Sequence, residues 1–178
     1  MKANFSYTVV LKPQILTPVN HGRRWLEVSE QQPRTKQFLR RVRLTLLDGV
    51  LAAGRALTTS RCGAIVAFGE GAIVAMALMS AELRAAAVKE RHADENDVWT
   101  IGLAMEQLQY IILIAPHSFP MNRYMQMLRD AVPEMASINH ATAAQVLVVI
   151  PTRDPLSKMC TEQSQLVLGA ATEAIAFW

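Results

Sequence analysis

Short apolar runs of strand length recur along this chain, and helix-length stretches separate most of them. Residues 5–11 (FSYTVVL), 62–68 (CGAIVAF), 108–115 (LQYIILIA), 145–150 (QVLVVI) and 172–178 (TEAIAFW) read as strands, rich in β-branched and aliphatic side chains. The run at 62–68 lacks polar alternation, the pattern of a strand buried on both faces, and 108–115 and 145–150 read as buried in the same way. A helix is expected over residues 35–56, where Phe38, Leu39, Val42, Leu46 and Val50 recur at helical spacing, with Asp48 and Gly49 interrupting it without necessarily ending it. A long Ala/Met-rich helix is expected over 72–90, buried at its start, then helices over 121–131 and 157–169, the last with Ser157 as N-cap. Residues 91–97 (RHADEND) read as a charged, exposed loop, with His92 a surface residue. Pro13 and Pro18 break regular structure near the start, with a loop over 16–22, an extended piece over 25–28 and a turn over 31–33.

Strand and helix in alternation imply a parallel sheet joined by right-handed crossovers. The expected fold is α/β, doubly wound, a mostly parallel sheet with helices on both faces, built as a single domain over residues 1–178. Apolar residues make up 51% and charged residues 19%, enough to build a core and too apolar for disorder to dominate. No repeat, low-complexity tract or linker interrupts the pattern.

Charge and motifs exclude several function classes. The net charge of +3 is mild, short of the dense basic patch of a nucleic-acid-binding domain. Lys36, Arg40 and Arg43 share one face of the first helix; an RNA or phosphate contact is one reading, and a solvated helix face is the favoured one. Cys62 and Cys160 are too few for a disulfide framework and read as free, buried thiols in a reducing, intracellular compartment. No apolar run approaches the ~18 residues of a membrane span, and no signal-peptide pattern opens the chain. There is no G-x-x-x-x-G-K-[ST] phosphate loop, no G-x-G-x-x-G fingerprint and no Cys/His cluster, so neither cofactor nor metal is expected.

In open parallel sheets, sites form beyond the carboxyl ends of the strands. The most informative such place is AIVAFGEGA, residues 64–72, where an apolar strand runs through a glycine-bearing turn straight into a helix. A nucleophile elbow has this geometry, and it needs small residues two before and two after the nucleophile. Ala67 and Gly71 fill those places, and the nucleophile place is Gly69.

The stretch Ala67-Phe68-Gly69-Glu70-Gly71-Ala72 resembles the GFSQGA elbow of α/β-hydrolases, in particular small serine hydrolases of the carboxylesterase-like FSH type. Residues 110–120 (YIILIAPHSFP) resemble that family's next strand and loop, and 146–156 (VLVVIPTRDPL) the strand whose following turn carries the triad acid, which the resemblance places at Asp154. Residues 9–25 are similar to the strand and Trp-containing loop ahead of the elbow helix, so the resemblance covers most of the chain. It implies an α/β-hydrolase-like domain, but one shortened at both ends. Gly69 has no nucleophilic oxygen or sulfur. The chain stops at Trp178, where the family's general-base histidine would follow, and the first strand that helps form the oxyanion hole is missing before Phe5. Only Asp154 remains of the triad.

A pseudoenzyme is therefore expected, serving as a structural or interaction subunit of a larger assembly; the mild basicity is compatible with an organelle such as the mitochondrion. The rival is an enzyme or ligand-binding module of altered chemistry using Glu70, at the start of the elbow helix, with His117 and Asp154 from the next two strand ends. A further rival is a flavodoxin-like or Rossmann-like domain in which the elbow match is accidental. His21 and His140 read as structural or surface residues.

Overall fold

The computed structural model describes residues 11, 15–16, 23–24, 35–60, 62–114, 121–137, 144–151 and 173–177. The elements in order are β1 (Ile15–Leu16), β2 (Arg23–Arg24), α1 (Lys36–Ser60), β3 (Ala64–Phe68), α2 (Glu70–Met79), α3 (Ala81–Glu90), α4 (Asn96–Glu106), β4 (Tyr110–Ile114), α5 (Met121–Ala131), a 3-10 turn (Pro133–Ser137), β5 (Gln145–Pro151) and β6 (Glu173–Phe177). β1 and β2 form a small antiparallel pair, and β3-β4-β5-β6 form a four-stranded parallel sheet in chain order. The chain is thus of mixed α/β class with a small sheet. The strand expected at 5–11 and the helix expected at 157–169 lie outside the described residues, Leu11 excepted.

α1 opens on Thr35, whose Oγ1 accepts from the Phe38 N–H at 3.2 Å, and it runs for 25 residues. Phe38, Val42, Leu46, Val50 and Leu57 are buried along one stripe, the amphipathic pattern that fixes a helix by burial more than by propensity. The helix continues through Asp48 and Gly49. Gly54 lets α4 approach, because a Cβ there would stand 2.5 Å from Ile101 Cδ1.

The expected long helix over 72–90 is two helices, α2 and α3, bent by 99° at Ser80. Ser80 leaves the helical conformation at ψ 120, and its Oγ accepts from the Leu83 N–H at 3.2 Å, so it caps α3 while ending α2. Arg84 secures the bend from the other side: its Nη1 donates to the carbonyls of Leu78 and Met79 at 2.7 and 3.1 Å. Burial lowers the Arg84 pKa from its usual range. The loop expected over 91–97 is shorter, because the Asp94 carboxylate accepts from the Asn96 N–H and α4 starts at that residue. His92 takes φ 51 at the end of α3, an uncommon left-handed conformation for a residue with a Cβ.

Register fixes the two faces of the sheet. Ile65, Ile111 and Val146 are paired across β3, β4 and β5, as are Ala67, Leu113 and Val148. This face meets the core formed with α1 to α5: Ile111, Leu113 and Val148 are fully buried, and Ile65, Ala67 and Val146 pack against that core. The opposite face carries Val66, Phe68 and Tyr110, exposed by 65%, 70% and 46%. The expectation that 62–68 is buried on both faces is therefore corrected. Among the described residues β3 is an edge strand and its helical cover lies on one face.

Candidate functional site

The parallel sheet directs the carboxyl ends of β3, β4 and β5 to one edge, and Gly69 sits on that edge. It joins β3 to α2 with φ 55 and ψ −122. A side chain rarely adopts this conformation, and glycine adopts it freely. Two backbone bonds hold the turn: the Gly69 N–H donates to the Ile114 carbonyl at 3.0 Å, and its own carbonyl accepts from the Ala72 N–H at 3.1 Å. The first extends the β3–β4 ladder past the strand end; the second starts α2. The result is a sharp strand-to-helix turn with its first helical turn buried from Ala72 onward. A side-chain oxygen at this place would stand at the carboxyl edge of the sheet, at the amino end of a helix, where developing negative charge is favoured. Gly69 provides none, and it gives α2 no side-chain cap.

Glu70 is the first residue of α2 and half-buried. A carboxylate in that turn is favoured by the helix dipole, a sufficient structural reason for it. His117 and Asp154 lie outside the described residues, as do His21, His140 and Cys160. The strands preceding His117 and Asp154 end on the edge that holds Gly69. Among the described residues no group of three or more His, Cys, Asp or Glu could hold a metal.

Beside β3 lies an apolar groove of about 400 Å³, bounded by α1 and α2 and lined by Ala53, Leu57, Val74 and Leu78 together with β3 itself. Its few polar neighbours are Ser60 and Cys62, whose thiol donates to the Ser60 Oγ at 3.1 Å. Cys62 is half-buried, where a buried thiol was expected.

The basic face of α1 is divided. Arg43 is fixed by two carboxylates: Nε and Nη2 donate to Glu90 at 2.9 and 2.7 Å, and Nη1 and Nη2 donate to Glu134 at 2.9 and 2.8 Å. These bonds raise the guanidinium pKa and lower that of Glu134. Arg43 ties α1 to α3 and to the 3-10 turn; its forks are occupied, which argues against a phosphate contact. Lys36 and Arg40 are exposed. Neither glutamate was a candidate from sequence, since pairs separated by 47 and 91 residues leave no local signal.

Comparison with protein-family models, with curated proteins and with solved structures finds no match.

Proposed function

We propose that this chain is a catalytically inactive domain of α/β-hydrolase-like kind, acting as an interaction subunit in a larger assembly. The observation that carries the reading is the exposed apolar face of the sheet, with Val66 and Phe68 open to solvent by 65% and 70%. Parallel sheets are stable almost only with both faces covered, and contiguous exposed apolar surface marks an interaction site. The turn at Gly69 supports the inactive half of the proposal, because it has elbow geometry and offers no atom to attack an acyl group.

The test is the size of the full chain in native extract against the purified chain, read by size-exclusion with mass detection. The native species should run well above the 19.7 kDa of the chain, and Phe68→Glu should return it to monomer mass with unchanged circular dichroism. Elution of the wild type as a monomer in extract contradicts the interaction role.

A further inference from the structure

α4 buries Ile101 and Met105 in the core, and Ile101 meets Gly54 of α1. Its other side is open. Trp99 and Leu103 are exposed by 69% and 41%. At 3.6 residues per turn, Glu95, Trp99, Gly102, Leu103 and Glu106 fall within about 100° of the helix circumference. The stripe reads acid, apolar centre, acid, and its two glutamates stand ~16 Å apart along the axis. Gly102 adds no side chain to it, and a Cβ there would meet nothing within 4 Å. Beside Leu103 a hollow of about 270 Å³ lies between α4 and the end of α1, lined by Leu57 and Ala104 with Thr58, Thr100 and Gln107 as polar neighbours. Asp97, on the side toward α1, is held by Arg55 at 2.7 Å. Glu95 and Glu106 are exposed, and among the described residues neither joins an ion pair.

We propose that this stripe docks a basic amphipathic helix of another protein. Such a helix lays apolar side chains on Trp99 and Leu103, sends one into the adjoining hollow, and sets a Lys or Arg against each glutamate. A tryptophan at the centre of a contact is the residue type that most often carries its binding energy. The charge pattern selects among occupants. The chain as a whole carries +3, yet both charged groups on this stripe are acidic. A second copy of α4 laid on the first brings glutamate against glutamate in either direction. An anionic lipid surface repels the same two carboxylates, and helices that lie on membranes carry Lys and Arg on their polar face. A basic helix covers Trp99 and neutralises both flanks. The proposal rests on the reading of the chain as an interaction subunit; it gives that subunit a second surface, away from Val66 and Phe68, and the class of partner that surface accepts.

Two synthetic helical peptides of ~18 residues test it, both with Leu at helical spacing. One carries a Lys at each end of its apolar stripe, and the other carries Glu at the same places. Binding to the full chain is read by fluorescence anisotropy of the labelled peptide. The Lys peptide should bind at least about tenfold more tightly than the Glu peptide, and less tightly at high salt. Trp99→Ala should weaken it at least about tenfold. Glu95→Lys with Glu106→Lys should reverse the preference between the two peptides. These three positions are exposed, so circular dichroism should be unchanged in each variant. Phe68→Glu should leave peptide binding as it is, so this surface and the sheet face are tested separately. No binding of the Lys peptide at about 1 mM overturns the proposal, as does equal binding of both peptides. Binding that survives Trp99→Ala, or that Phe68→Glu abolishes, places the peptide elsewhere and overturns it too. Self-association, or binding to phosphatidylcholine vesicles, that Trp99→Ala abolishes assigns the face to a second copy or to a membrane, and likewise overturns the proposal.

Discussion

Replacing Gly54 with alanine forces one methyl group into the contact between α1 and α4. The new Cβ would lie 2.5 Å from Ile101 Cδ1, 2.9 Å from Cγ1 and 3.0 Å from Cγ2. All three atoms belong to one side chain, and both γ carbons are within reach, so a χ2 rotation alone cannot clear the clash. Ile101 is fully buried, so it has no solvent space to move into. Overpacking of this kind costs ~1–3 kcal/mol through off-rotamer side chains and small helix shifts. The higher helix propensity of alanine offsets ~1 kcal/mol of that. The net loss expected is about 1 kcal/mol and at most about 2, or roughly 2–8 °C in melting temperature for a chain of this size. Urea unfolding of wild type, Gly54→Ala, Ile101→Val and the double variant measures it. Ile101→Val removes the Cδ1 that stands nearest and alone costs ~0.5–1.5 kcal/mol. In the double variant the two changes should couple favourably by about 0.5 kcal/mol or more. A Gly54→Ala chain that is more stable than wild type, with additive energies in the cycle, would refute the α1–α4 contact on which the core is built.

Ser80→Ala removes the cap of α3 and should cost ~1 kcal/mol in the same urea experiment, with Ser80→Gly costing less. Glu134 has its folded pKa held below the usual 4.5 by Arg43. Its contribution to stability is therefore full above that value and is lost as pH falls through the lower folded value. Melting temperature should drop below about pH 4.5, and Glu134→Gln should lower stability at pH 7 while flattening that acid limb; an unchanged acid limb would count against the Arg43–Glu134 bond.

How much of this was legible in the sequence depended on the reach of each interaction. α1 and α5 are written in local patterns, a repeated apolar stripe and a segment closed by Pro133. β4 and β5 are written as apolar runs between breakers. The turn at Gly69 was legible because its signal is also local: a strand, two glycines spaced around Glu70, and a helix. The break at Ser80 was missed because Ala, Leu and Met before it and Ala, Glu and Leu after it suit a continuous helix, and one serine hydroxyl decides the matter by capping Leu83. α4 was missed altogether: its first residues, Asn96 and Asp97, fall in a charged run that reads as loop, and no helix was expected between that run and β4. The exposure of Val66 and Phe68 has no signature in the strand itself. AIVAF looks the same whether its second face is covered or open, and only the placement of the helices tells the two apart. The fixing of Arg43 by Glu90 and Glu134 is tertiary for the same reason.

Ester hydrolysis by the wild type and by Gly69→Ser tests the central claim most directly. Serine at φ 55 carries ~1–3 kcal/mol of backbone strain, so the variant is first shown to be folded by circular dichroism. Neither protein should hydrolyse p-nitrophenyl acetate faster than buffer with a control protein, and neither should be labelled by a fluorophosphonate. A hydroxyl at the turn without a general base forgoes ~10²–10⁴ in rate, and without an oxyanion hole a further ~10²–10³. Turnover or labelling by the wild type would contradict the account at once. Turnover gained in Gly69→Ser and abolished by His117→Ala would contradict it as well, by showing that a working base and an intact acyl pocket are in place.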